Sequence, residues 1–362
     1  MARNWADLPE ELLRLCSRCL CPKDLWAFRA VCRSWQSAAP EERSYVPWLM
    51  FAENTESPCR DVFCPSCRRV HLAPVPAARA RRCFSSRGWL FTLGLDMEIH
   101  MLKNPIYIVK LPDLDMFSHV KRLPYYFDDF DTKFVLSASP STSSDYMVMI
   151  IYGKGKLVGL WRPGGEAWTA VNFPSPRRDI WDVIFYDGCF VAIDYKGSIL
   201  RCDVDGPAPF EARVIFEVPG WLMHWEHPDL VKPGTGHLRG VHLVQSTRGS
   251  LLFVSRLGRR KPLRFRVFEI DLNARTCREV KSLGNASLFL GPDSGFSLES
   301  DEKHRIEPNC IYFTDDSWGH PIEEGGNMQM RIYHIEDRTT KQFPMATFYD
   351  DYSYPLWIEP SF

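Results

Sequence analysis

Two apolar patterns divide the chain. Over roughly the first 40 residues, apolar side chains recur at helical spacing: Leu12, Leu13, Cys16, Cys19 and Leu20, then Leu25, Phe28, Val31, Cys32 and Trp35. Asp7 suits an N-cap, with Glu10 three residues on as an acidic capping-box partner. Pro9 falls in the first turn, where its missing N–H costs nothing. Pro22 is expected to end the first helix, and Asp24 to help start the next. Further on the helical period fades. Short runs of Val, Ile, Phe, Tyr and Trp alternate with Gly, Pro, Asp and Ser, which predicts an all-β region.

Those runs repeat in pairs. Residues Ser86 to Phe91 precede Glu98 to Leu102, and Met147 to Ile150 precede Lys156 to Trp161. Asp187 to Ile193 precede Gly197 to Asp203, and Arg248 to Val254 precede Phe265 to Asp271. Asn309 to Thr314 precede Met330 to Glu336. Each pair reads as a turn, an apolar strand, a hairpin and a second strand, at an irregular period of roughly 45 to 60 residues. One such unit cannot bury both faces of its sheet, whereas several stacked around an axis can. The expected fold is mainly β: a β-propeller of about five to seven blades preceded by a small module of two or three short helices. A β-sandwich is the alternative, but about 300 residues of hairpins is large for one.

The run Tyr45 to Phe51 is strand-like, and Pro47 favours an edge position for it. Trp48 to Phe51 and Tyr354 to Ile358 lack sequential hairpin partners, and an isolated strand leaves its backbone groups unpaired. Both are expected in one closing blade, bracketing strands from the Met330 to Ile335 region. The resulting division is a helical module over 1–42, a linker and possible closing strand over 43–60, and a propeller over 61–362.

Composition narrows the class. The 362 residues are 45% hydrophobic and 25% charged, with a net charge of -1. That balance argues against broad attraction to nucleic acid or membranes. No apolar run reaches the ~18 residues of a membrane span, and the N-terminus shows no signal-peptide pattern. A nuclear or cytoplasmic protein with reduced thiols is expected. The basic runs Arg79 to Arg82 and Arg259 to Lys261 read as solvated surface.

Candidate chemistry is sparse. Cys59, Cys64, Cys67 and His71 lie close together, with C-x-x-C at Cys64 to Cys67, and thiolates at this spacing can chelate zinc. A second C-x-x-C is missing, and Cys83 would have to complete any alternative set. The expectation is a turn with two reduced thiols, no metal and a melt insensitive to chelators. The acidic clusters Asp128-Asp129-Asp131, Glu299-Asp301-Glu302 and Asp315-Asp316 read as solvated turns. The aromatic stretch Gly220 to Pro228 suits packing between blades or a binding surface. Neither a nucleophile elbow nor a phosphate loop nor a dinucleotide fingerprint is present, and no cofactor is expected.

Short helices of this size carry more apolar surface than they can bury among themselves. The surplus face suits either a partner protein or docking on the rest of the chain. Leu8-Pro9, Asp24-Leu25 and Phe28 to Trp35 closely resemble the F-box, which implies a three-helix module, although Cys19 to Pro22 and Trp26 depart from its usual pattern. The whole chain resembles the KIB-type family of plant F-box proteins. Its anchors are Arg82 to Leu90, Glu98 to Pro105, Phe268 to Asp271, Phe289 to Gly291 and Asn309 to Asp316. The resemblance implies a non-catalytic substrate receptor of a Skp–cullin–F-box ubiquitin ligase. Leu8, Pro9, Leu12, Leu13, Leu25, Val31, Cys32 and Trp35 would make or support the interface with a Skp-type adaptor, and through it cullin. The propeller would hold a protein target. The competing expectations are an enzyme or small-ligand-binding propeller with an F-box-like appendage, and a non-degradative F-box scaffold.

Overall fold

The computed structural model of the chain describes residues 5, 8–18, 20–39, 46–53, 57, 59–103, 107–114, 132–153, 157–174, 179–206, 208–223, 240–257, 264–300, 305–314, 330–343 and 355–359. Three short helices open it: α1 (Glu10–Arg18), α2 (Pro22–Arg29) and α3 (Arg33–Ala38). The Pro9 carbonyl accepts the first helical bonds, from the amides of Leu12 and Leu13. The expected N-cap Asp7 lies outside the described residues. Pro22 does not act as a breaker inside α1. It is the first residue of α2, where it removes a donor that would have no helical partner. The apolar set running to Trp35 is split between two helices, because Cys32 is extended (φ −164°) and restarts the turn as the cap of α3.

The remainder is a ring of sheets. Their strands are ordered 1-2-3-4 from the inside out in the commonest case, as in Arg81–Ser86, Trp89–Gly94, Ile99–Lys103 and Tyr107–Leu111. An eight-stranded sheet consists of two such antiparallel units, joined where Val171 and Asn172 pair in parallel with Phe210 and Glu211. A five-stranded sheet runs Gly295–Glu299, Ala286–Leu290, Cys310–Thr314, Met330–His334 and Thr340–Phe343. Divided at the parallel edge, the five sheets among the described residues form six units.

Every paired run foreseen from the hydrophobic pattern contains a strand. Arg87-Gly88 and Asp187-Gly188 sit at the hairpin tips with positive φ at both positions (48° and 73°, 47° and 75°). This is the mirror-image turn whose twist matches paired strands, and glycine supplies its second position without strain.

The first sheet closes the ring. Its order is Leu356–Ile358, Trp48–Met50, Cys59–Cys64, Arg69–Pro74. Trp48 pairs with Ile358, Leu49 with Trp357 and Met50 with Leu356, so the two ends of the domain share one blade. Its other strands come from the chain that follows directly, not from Met330–His334, which belongs to the preceding sheet. Nor is Trp48–Met50 an edge strand: Pro47 precedes the ladder and removes no donor from it. The stretch 43–60 is therefore more than a linker, since it supplies one closing strand and starts a second.

Between successive units lie hydrophobic clusters. Phe84, Phe91 and Phe134 join the second unit to the third, with Phe91 stacked on Phe134 at 4.7 Å. Leu49, Phe63, Phe289, Phe296 and Trp357 join the last to the first. Burial on both faces explains why inner strands such as Val148–Tyr152 are continuously apolar. No helix among the described residues is long and apolar enough to cross a membrane.

Candidate functional sites: an exposed helical face, a central channel and a thiol–imidazole cluster

The helical module has a small core of its own. Leu13, Phe28, Ala38 and Ala39 are buried, with Leu8, Leu20, Leu25 and Trp35 packed against them. Phe28 lies against Trp35 at 4.4 Å. Among the residues expected at a partner interface, Leu13 is thus a core residue that supports the face from behind. Leu8, Leu25, Cys32 and Trp35 are half-buried, while Pro9, Leu12 and Val31 are exposed. Of the eleven exposed large hydrophobics among the described residues, four belong to this module: Trp5, Leu12, Leu15 and Val31. Leu12 and Leu15 stand at i, i+3 on one face of α1. So small a module thus leaves several large apolar side chains open to solvent.

Where the inner strands meet, a cavity of about 460 Å³ opens, lined by groups including Arg87, Lys133, Gln245, Asp293, Phe296 and Glu359. Its charges are largely committed to the frame. Lys133 donates to Asp182 at 2.5 Å, and the other Asp182 oxygen accepts the Leu243 amide at 2.7 Å. The Arg87 amide donates to Glu359 at 2.6 Å, and its guanidinium to the Leu136 carbonyl at 2.9 Å. Each tie crosses from one unit to another. Among the described residues, Arg87, Lys133 and Glu359 of this cavity are thus engaged with neighbouring units.

Burial raises the Glu359 carboxyl, and it pushes that of Asp293 up to about 6 against the opposing pull of Arg82. Unfolded, the same group titrates near 3.8. The folded protein therefore binds the extra proton between those values, and stability falls as pH rises through that window. Asp293→Asn is expected to raise stability near neutral pH by about 2–3 kcal/mol, a gain that fades below pH ~4. Urea denaturation at both pH values checks this. A loss at neutral pH would show that pairing with Arg82 outweighs burial.

The residues 128, 129, 131, 301, 302, 315 and 316 of the acidic clusters lie outside the described residues, as does the aromatic stretch beyond the short helix Gly220–Met223. Residues 259–261 of one basic run do too. The other run is structural: Arg82 is buried, and Arg81 donates to Thr92 at 3.1 Å.

The C-x-x-C motif has a different setting from the expected bare turn. Cys64 ends one strand, Pro65 to Arg68 turn, and Arg69–Pro74 returns, with Arg68 at φ 57°. His71 lies opposite Val62 on that second strand. Neither Cys59 nor Cys83 joins this group; Cys21, at the N-terminus of α2, does. The four ligand atoms of Cys21, Cys64, Cys67 and His71 all lie within 4.8 Å of one another. His71 Nε2 is 3.6 Å from the Cys21 sulfur and 3.1 Å from that of Cys67. Burial, then the neighbouring Cys64, pushes the Cys67 thiol up to about 12, and burial raises Cys21. Sequence reasoning missed Cys21 because it stands 43 positions before Cys64 and in another module; the only signal was a cysteine directly before Pro22.

A second group, Glu307, Cys310 and His334, is internally satisfied. Glu307 pairs with Lys341 at 3.2 Å, and Cys310 donates to the Pro308 carbonyl.

Comparison with known proteins follows these boundaries. The F-box domain profile matches residues 5–46. The KIB1-4 beta-propeller profile matches residues 61–334, most of the ring. The chain belongs to the KIB1-4 beta-propeller family. Plant F-box proteins are among the relatives of this KIB-type chain. The Arabidopsis thaliana F-box protein SKIP23 is 25% identical, over 99% of this chain and 95% of its own. The F-box protein At2g17036 of the same plant is 25% identical, over 85% of this chain and 81% of its own. A solved structure described as YCF48 bound to D1 peptide is similar at a TM-score of 0.34 and 11% identity, covering 78% of this chain and 72% of that one.

Proposed function

We propose that this KIB-type F-box protein is the substrate-recognition subunit of a Skp–cullin–F-box ubiquitin ligase, acting in the nucleus or cytoplasm. The F-box takes the Skp-type adaptor and, through it, cullin, while the propeller holds a protein target. The observation that carries this reading is the exposed set Trp5, Leu12, Leu15 and Val31 on a module matched by the F-box profile. The propeller contributes no bond chemistry on this account. Holding a target beside a ubiquitin-charged enzyme raises its effective concentration, and that proximity is the catalytic contribution. The committed charges of the central cavity favour a frame over an active site.

The test uses the purified full chain and a purified Skp-type adaptor. Leu12→Asp and Val31→Asp together are expected to weaken binding by about 30-fold or more. Both side chains are exposed, so the melt should move little, within about 0.5 kcal/mol per site. Unchanged adaptor affinity in the double variant would overturn the reading. Point variants are cleaner than removal of residues 1–40, which would also strip Cys21 from its seat against Val46 and Cys64.

A further inference from the structure

We propose that Cys21, Cys64, Cys67 and His71 bind one zinc ion that fastens the helical module to the closing blade of the propeller. Three thiolates and one imidazole are a soft donor set that selects zinc over the hard cations, and zinc takes four such ligands tetrahedrally. With Zn–S bonds of about 2.3 Å and tetrahedral angles, neighbouring sulfurs stand roughly 3.8 Å apart. The spacing here, with every donor pair inside 4.8 Å and His71 Nε2 3.1 Å from the Cys67 sulfur, needs only small adjustments to reach that geometry. It is too tight for an iron–sulfur cluster, whose thiolates bind different irons.

The surroundings suit a metal complex, since Cys64 and Cys67 flank one tight turn and His71 stands on the strand that follows it. Cys21 also sits where the positive end of α2 begins, its carbonyl accepting the Leu25 amide at 2.8 Å. Trp48 of the closing strand stacks on His71, with ring centroids 5.9 Å apart, and fixes the imidazole plane. Cys21 and Cys64 are buried and Cys67 and His71 half-buried, so the set is closed, as structural zinc sites are. Three cysteine sulfurs crowd one imidazole. Binding releases the three thiol protons to solvent and leaves a complex of net charge about −1.

The site joins separate parts of the chain: Cys21 comes from the helices, the other three from the first blade. It fixes how the module sits on the ring. The inference is independent of the adaptor reading, since it concerns metal content alone. It reverses the expectation of chelator insensitivity drawn from a motif with no second C-x-x-C.

Full-length protein, purified under reducing conditions with no chelator, is expected to carry one zinc per chain by elemental mass spectrometry. Cys21→Ser and Cys67→Ser should lose it, whereas Cys59→Ser and Cys83→Ser should keep it. A strong chelator should lower the melting temperature of the wild-type chain and leave that of Cys67→Ser unmoved. If the serine variants fail to fold, cobalt added to the stripped wild-type chain still tests the set, and a tetrahedral cobalt–thiolate spectrum is expected. Wild-type protein with neither zinc nor that spectrum overturns the proposal. So does full zinc retention in Cys21→Ser, or recovery of the thiols as disulfides in place of a metal complex.

Discussion

Trp357→Ala is expected to destabilise the propeller by about 3–5 kcal/mol, the loss typical of a fully buried tryptophan. Trp357 has no exposed surface and packs edge-on against Phe289 at 5.1 Å and Tyr312 at 6.4 Å. Those partners belong to the last sheet, whereas Trp357 pairs with Leu49 in the first. The side chain therefore fills the seam where the ring closes. Removing residues 355–362 should do more than Trp357→Ala: Trp48–Met50 would lose its inner partner, and its backbone groups would stand unpaired beside an emptied core. The expected result is loss of the cooperative melt, read by circular dichroism and by protease cleavage spread through the whole domain. A truncated chain that melts like the wild type would refute this closure.

Asp182→Ala should cost about 2–4 kcal/mol, because it takes from a largely buried ammonium its hydrogen-bonded counter-charge. The Asp182 side chain is 4% exposed and that of Lys133 12%. One Asp182 oxygen accepts from Lys133 and from the Val183 amide at 2.8 Å, the other from the Leu243 amide. A single carboxylate thus holds strands of three successive units. Pairing Asp182→Ala with Lys133→Met should recover part of the loss, since an apolar replacement of both charges removes the stranded ion. Urea denaturation of the two single variants and the double gives the coupling directly. Strict additivity would mean that the pair contributes nothing as a pair.

The sequence disclosed the middle of each blade better than its rims. Runs such as Cys189–Asp194 and Ser198–Asp203 are buried on both faces, so their apolar residues stand out from flanking turns. Outer strands such as Thr276–Glu279 are short and mostly exposed, with no two-residue alternation to mark them. The closing strands were legible as apolar runs without local partners, but which strands they would join was not. That choice depends on the ring's order, which no local pattern encodes, and so the first blade rather than the Met330 region received them. In the helical module, periodicity gave Leu12 and Leu13 equal weight, yet one is exposed and the other lies in the core. Three short helices can orient a given stripe several ways, and only packing decides which. The thiol cluster shows the same limit across a longer distance. Cys64, Cys67 and His71 are local, while Cys21 reaches them only because the module folds back onto the first blade.

The central claim is that one chain carries an adaptor on its helical face and a target on its propeller. The most direct test is quantitative affinity purification from plant cells with the proteasome blocked, comparing the wild-type chain with the Leu12→Asp, Val31→Asp double variant. The account predicts that adaptor and cullin accompany the wild type and disappear with the variant, while at least one further protein stays bound to both. Recovery of adaptor and cullin in equal amounts with the two chains would contradict it.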